Sequence, residues 1–159
     1  MFPGRDPLVT ACGDDGPMSA PYDPHALLAS ARLGVLATLR ADGRPQLSPV
    51  APFYEQQAGL LSVSMTEGRA KTANLRRDPR AALEVTSEDG RSWATAEGVV
   101  TLTGPDTDPR GAVVEALVQY YRRAAGEHPD WEDYRRAMID ERRVLMVMSV
   151  ERVYGQSLG

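Results

Sequence analysis

Of the 18 basic residues in this chain of 159, 17 are arginine, and the one lysine is Lys71. An Arg- and Ala-rich composition of this kind suggests a high-GC genome, which erodes lysine codons. A lysine that persists is then expected where arginine does not serve. An ammonium is a compact point charge with three rotatable donors, whereas guanidinium is a wide planar fork. The window around it runs Thr66-Glu67-Gly68-Arg69-Ala70-Lys71-Thr72-Ala73-Asn74-Leu75-Arg76-Arg77-Asp78-Pro79-Arg80, with five basic residues against two acidic in a chain of net charge −4. Gly68 offers a flexible entry, and Arg69 to Arg77 can form a short helix. Asp78 before Pro79 is biased out of the α region and stops it. Free N–H groups at the helix start, the positive dipole end and two cationic side chains make an anion site. The competing reading is a solvated basic helix face without a ligand.

Parity along the strands supplies further candidates. Gln46 and Ser48 share one face of their strand, and Ser62 and Ser64 share a face of theirs. If those strands were neighbours, their side chains would form a polar shelf leading to Arg69 and Lys71, fit for a ribityl chain or phosphate. An ordinary solvated sheet face is the alternative. In Ser92–Thr103, Ala94, Ala96, Val100 and Leu102 form a small apolar face. Trp93 points the other way with Thr95 and Glu97, suiting a subunit interface, the wall of a ligand pocket or a covering for the barrel's flank. Other catalytic signatures are missing. His25 and His128 have no metal-ligand company, and neither a P-loop nor a dinucleotide fingerprint is present. A phosphate clamp without an acid–base dyad or nucleophile suggests that the chemistry belongs to a cofactor.

These residues need a scaffold. The length suits one domain of roughly 100–200 residues, and 42% hydrophobic content supports a real core. The acidic balance argues against a general nucleic-acid binder, and no apolar run approaches the roughly 18 residues of a membrane helix. Residues 1–20 are expected to be a disordered tail outside a single domain at 21–159. The first 17 residues lack the apolar core of a secretory signal. Met18 is a candidate natural start, and Cys12, the one cysteine, excludes an intrachain disulfide. A reducing cytoplasm is the simplest location.

A first helix is predicted from Pro24 to about Arg32, capped by Asp23. Strands follow at Leu33–Arg40, Pro45–Tyr54, Leu60–Met65, Ala81–Ser87 and Ser92–Thr103. Ala41-Asp42-Gly43-Arg44 and Glu88-Asp89-Gly90 read as turns. Two helices are expected next. The first is capped by Asp108, has Pro109 at its first position, and buries Val113, Val114, Leu117, Val118 and Tyr121. The second is capped by Asp130, with Trp131, Tyr134 and Met138 on one face. A last strand, Arg143 to about Tyr154, carries Met146 and Met148 as core residues. Short antiparallel strands in this number suggest a small barrel.

Leu33-Gly34-Val35-Leu36-Ala37-Thr38-Leu39 followed by Asp42-Gly43-Arg44-Pro45-Gln46-Leu47-Ser48 resembles the pyridoxamine-phosphate-oxidase-like split β-barrels. Arg69 through Arg80 is similar to their coenzyme F420 (deazaflavin) branch. Trp93-Ala94-Thr95-Ala96-Glu97-Gly98, Tyr120-Tyr121-Arg122 through Ala125-Gly126-Glu127-His128, Arg142-Arg143-Val144-Leu145 and Val153-Tyr154-Gly155 extend the likeness over residues 24–155. The resemblance implies a mainly β, FMN-binding-like split barrel with accessory helices, forming a homodimer with two cofactor sites at the interface. It puts the cofactor phosphate near Ser64, Arg69 and Lys71, with Thr72 and Asn74 adjacent. Gln46 and Ser48 would meet the ring or ribityl chain, and Trp93 would come from the second subunit. The Arg- and Trp-bearing substrate motif of true pyridoxamine-phosphate oxidases is absent from Val153-Tyr154-Gly155-Gln156-Ser157-Leu158-Gly159.

The implied activity is hydride transfer from reduced coenzyme F420 to a small conjugated substrate, such as an enone, a quinone or an open-chain tetrapyrrole. Water, Tyr54 or another unassigned donor would supply the proton, and no catalytic residue is assigned. An FMN-dependent oxidoreductase and a non-catalytic cofactor carrier stay open beside it. Arg76, Arg77 and Arg80 exceed what one phosphate needs. They are candidates for the acidic lactyl–oligoglutamate tail of F420, with solvated charges or partners of Asp78 as the alternative.

Overall fold

The computed structural model describes residues 21–158; the tail expected at 1–20, with Cys12 and Met18, lies outside the described residues. The elements are α1 (Pro24–Ser30), β1 (Gly34–Leu39), β2 (Pro45–Val50), β3 (Phe53–Glu55), β4 (Leu60–Thr66), α2 (Ala70–Arg77), β5 (Arg80–Thr86), β6 (Ser92–Thr103), α3 (Ala112–Ala125), α4 (Trp131–Asp140) and β7 (Arg143–Ser157). The strands form one antiparallel sheet ordered β2-β1-β5-β6-β7-β4-β3.

The sheet curls around one core, with β2 and β3 left as its edges. β1 and β4 stand far apart in strand order, yet Leu36 of β1 and Leu61, Val63 and Met65 of β4 share one buried cluster with Leu83, Met146 and Met148. Register explains the inward face: Leu36 lies opposite Leu83, and Leu83 opposite Ala96. Each fully buried Leu or Met side chain of this interior contributes about 1.5–3 kcal/mol relative to exposure. α1 packs into the same cluster through Leu27, Leu28 and Ala31, and the Tyr22 hydroxyl beside it donates to the Trp93 carbonyl oxygen. A second cluster forms where α3 and α4 cover the other face of β4 and β7, around Val114, Leu117, Val118, Tyr134, Met138 and Leu145.

Several boundaries differ from expectation for local reasons. The strand predicted as Pro45–Tyr54 is two strands, because Pro52 has no N–H for a ladder. β2 pairs with β1, and β3 crosses to β4. Asp108 does not cap α3. Its side chain accepts from the Arg110 amide at 2.9 Å and its carbonyl from Gly111 at 3.0 Å, closing a turn that delays the helix to Ala112. α3 buries Tyr120, while Tyr121 is half-buried. Between Glu97 and Gly98 the β6–β7 register slips by one residue, so Glu151 has no partner across the ladder. Any Cβ at Gly98 would overlap the Ser149 carbonyl, which makes glycine the fitting residue at this bulge.

Candidate anion-binding site at the start of α2

β4 ends at Thr66, and a turn through Gly68, whose φ of 80° suits glycine, leads into α2. Thr72, Asn74 and Leu75 are the buried face of this helix. The Thr72 hydroxyl donates to the Thr66 carbonyl at 2.9 Å, tying the helix back to the strand it leaves. Asn74 fastens the helix to the hairpin: its Nδ2 donates to Thr38 Oγ1 at 3.0 Å and to Gln46 Oε1 at 3.3 Å. Its Oδ1 accepts from Arg77 at 3.3 Å. Two expected cofactor contacts, Thr72 and Asn74, therefore already hold the site together.

The exposed side of the helix start is different. Asp23 caps α1 and Asp130 caps α4 with side-chain carboxylates. α2 begins at Arg69 with no side-chain cap and no acidic residue in its first turn. Its first N–H groups are thus left free to take an anion. Arg69 is exposed and Lys71 half-buried. Among the described residues neither side chain makes an ion pair, in contrast to Arg76 and Arg80 beside them. Uncapped amides, a positive dipole end and two uncompensated cations are a donor set that fits a phosphate.

The three other arginines of this segment are engaged within the protein, the alternative to a role against a cofactor tail. Arg76 pairs with Glu67 and also donates to the Gly104 carbonyl at 2.9 Å. The hydrogen bond from Arg76 holds the Glu67 carboxyl below the usual range, partly opposed by burial. Arg77 donates to the Leu39 carbonyl. Arg80 binds Asp78 through two side-chain hydrogen bonds of 3.0 and 2.8 Å, and these, with the Arg80 amide, bring the Asp78 carboxyl down to about 2.

The polar shelf does not form as expected. β2 lies at one edge of the sheet, while β4 pairs with β3 and β7. Ser62 and Ser64 stand opposite Val147 and Leu145 on the face covered by α3 and α4, and Ser62 is buried there. Gln46 and Ser48 stand opposite Thr38 and Leu36 on the other, barrel-facing side, both half-buried. Trp93 lies on the outer face of β6, edge-on to Tyr154 with ring centroids 5.9 Å apart, so its predicted direction holds. The Tyr154 hydroxyl donates to Glu97 at 2.9 Å, a link that sequence reasoning missed because it depends on the register of the long last strand. Thr38 was missed too; the Asp42-Gly43 turn, once its register was set, would have paired it with Gln46. Tyr54, considered as a proton donor, is buried with its hydroxyl 2.8 Å from His25 Nδ1. Among the described residues no cluster of His, Cys, Asp or Glu could hold a metal.

An antiparallel sheet curled around one core, with helices over one flank and an uncapped basic helix start at its rim, defines a split β-barrel of the cofactor-binding kind. The chain belongs to the pyridoxamine 5'-phosphate oxidase family, whose pattern matches residues 25–157. It is 31% identical over 136 residues to an F420H(2)-dependent biliverdin reductase of Mycobacterium tuberculosis (strain CDC 1551 / Oshkosh), covering 85% of this chain and 87% of that protein. The fold is shared with an F420 reductase at a TM-score of 0.61 and 24% identity, over 84% of this chain and 98% of the other. A conserved hypothetical protein of Mycobacterium tuberculosis superposes with a TM-score of 0.64 at 23% identity, over 84% and 82% of the two chains.

Proposed function

We propose that this protein is a coenzyme F420-dependent reductase that passes a hydride to a small conjugated organic substrate. The observation that carries the reading is the uncapped start of α2 with Arg69 and Lys71, which make no ion pair among the described residues, in a chain 31% identical to an F420H(2)-dependent biliverdin reductase. When bound, the deazaflavin would supply the hydride. The chain's own residues bind and orient. Arg69, Lys71 and the first amides of α2 hold the phosphate, with Ser64 at the end of β4 nearby. Thr72 and Asn74 keep that helix start in place. Gln46 and Ser48 face the ribityl or ring side. Holding the ring against the substrate lowers the barrier by proximity. No side chain is assigned as the acid.

The working unit in this reading is a homodimer. The outer face of β1, β2 and β6 exposes Val35, Leu47 and Val99, apolar surface that a second copy would cover. Beside it opens a cleft of about 410 Å³ lined by Ala37, Leu39, Pro45, Ala82 and Glu97. Trp93 on the same outer face would then complete the partner's cofactor site. Among the described residues no helix is long and apolar enough to cross a membrane, and we place the protein in the cytoplasm.

Purified protein titrated with F420 and with FMN, followed by fluorescence, tests the assignment. Tighter F420 binding, together with turnover of reduced F420 by conjugated acceptors, is the expected result. Tighter FMN binding would make it an FMN oxidoreductase, and F420 binding without turnover on any acceptor would make it a carrier.

A further inference from the structure

Arg142, at the junction of α4 and β7, is the one non-glycine with positive φ among the described residues, at 50°. Left-handed backbone of this kind is easiest for glycine or asparagine, so an arginine held there suggests that its side chain is needed. The Arg142 carbonyl accepts from the Glu67 amide at 3.0 Å, which fastens this turn to the turn opening α2. Thr66 and Arg143 face each other across the β4–β7 ladder and fix the same neighbourhood. The Arg142 side chain is exposed and makes no ion pair or hydrogen bond among the described residues. The nearby Glu67 pairs with Arg76, and the Arg142 charge adds only a weaker pull on that carboxylate.

Arg76, Arg77 and Arg80 are engaged by Glu67, the Leu39 carbonyl and Asp78. That leaves Arg142, besides Arg69, as a guanidinium without an ion pair among the described residues, tied by backbone to the rim of the anion site. Resting on the coenzyme F420 reading above, we infer that Arg142 takes a carboxylate of the cofactor's acidic tail, beyond the phosphate held by Arg69 and Lys71. It is thereby a specificity residue for long-tailed cofactor. An exposed guanidinium suits a polycarboxylate chain that stays in solvent, where the pairing is weak, selective and sensitive to salt.

The test uses Arg142→Gly, which keeps the left-handed backbone, and Arg142→Lys, which keeps the charge. Each variant and the wild type are titrated with F420 carrying several glutamates and with the form that has the phosphate but no glutamate. For Arg142→Gly, affinity for the long-tailed form should fall roughly three- to five-fold, the scale of one exposed ion pair. Affinity for the glutamate-free form and the melting temperature should hold. Arg142→Lys should recover most of the loss, and the difference between forms should vanish near ~1 M salt, where the screening length is about 3 Å. Equal weakening of both forms, or no change in either, overturns the inference while leaving the F420 reading intact. A wild type that binds neither form overturns both.

Discussion

Replacing Lys71 by alanine should separate binding from folding. α2 is held by Thr72, Asn74 and Leu75 on its buried face, and the Lys71 side chain has no protein partner among the described residues. Its removal should therefore change stability by no more than about 0.5 kcal/mol, as for other surface substitutions away from such contacts. Its effect on the cofactor should be larger. Two unit charges about 4 Å apart attract by roughly 4 kcal/mol at an effective dielectric constant near 20. Desolvation of the half-buried ammonium takes back part of that, leaving the roughly 1.5–3 kcal/mol of a hydrogen bond to a charged group. At about 1.4 kcal/mol per tenfold, the Kd for F420 should rise roughly 10- to 150-fold. Arg69 stays in place in this variant, so binding weakens without vanishing. Lys71→Arg should restore only part of the loss, because the planar fork cannot seat where the ammonium does. Fluorescence titration gives the Kd and a thermal melt gives the stability. A Kd for Lys71→Ala within twofold of wild type would refute the phosphate assignment, and wild-type binding by Lys71→Arg would refute the head-group argument.

Asn74→Leu should cost about 2–3 kcal/mol and lower the melting temperature by roughly 5–10 °C, because it strands the buried Thr38 hydroxyl and unties α2 from Gln46. Burial pushes the Tyr134 phenol up to about 12, from an unfolded value of 10.0. A raised folded value means stability that is complete below pH 10 and lost as pH climbs towards 12. That loss amounts to about 2–3 kcal/mol. Denaturation by urea across this range should show the fall, and Tyr134→Phe should remove part of it, with Tyr22, Tyr54, Tyr120 and Tyr154, also raised, accounting for the rest; an unchanged slope would move the cause elsewhere. Leu47→Arg should convert a dimer to a monomer in sedimentation and weaken cofactor binding with it, whereas a persistent dimer would exclude the outer face of β1 and β2 as the interface.

Much of the scaffold was legible because it is written in short-range chemistry. The Asp42-Gly43 turn, the Asp23 and Asp130 caps and the stop at Asp78-Pro79 each act over a few residues, and all stand where the sequence puts them. The alternation in Ser92–Thr103 likewise set Ala94 and Ala96 inward and Trp93 outward. The boundary at Ala112 was missed for an equally local reason: Asp106 and Asp108 spend their oxygens on a preceding turn, and several caps compete in one acidic stretch.

The sequence by itself determined that a basic, lysine-marked helix follows a strand in a small β protein, and this was enough to single out a candidate anion site. Only tertiary structure decided which of its charges are free. Arg76, Arg77 and Arg80 look as available as Arg69 and Lys71 in the linear string. Their partners Glu67, the Leu39 carbonyl and Asp78 are chosen by how the helix lies against its turn, its hairpin and its own end. Strand order did the same for the serines, placing Ser62 and Ser64 under α3 and α4 while Gln46 and Ser48 face the barrel. Side-chain parity is a property of one strand, fixed by backbone geometry. Which strand lies beside it is set by how the whole sheet closes around Leu36, Leu61 and Met146, and contacts that distant in sequence leave no local signature.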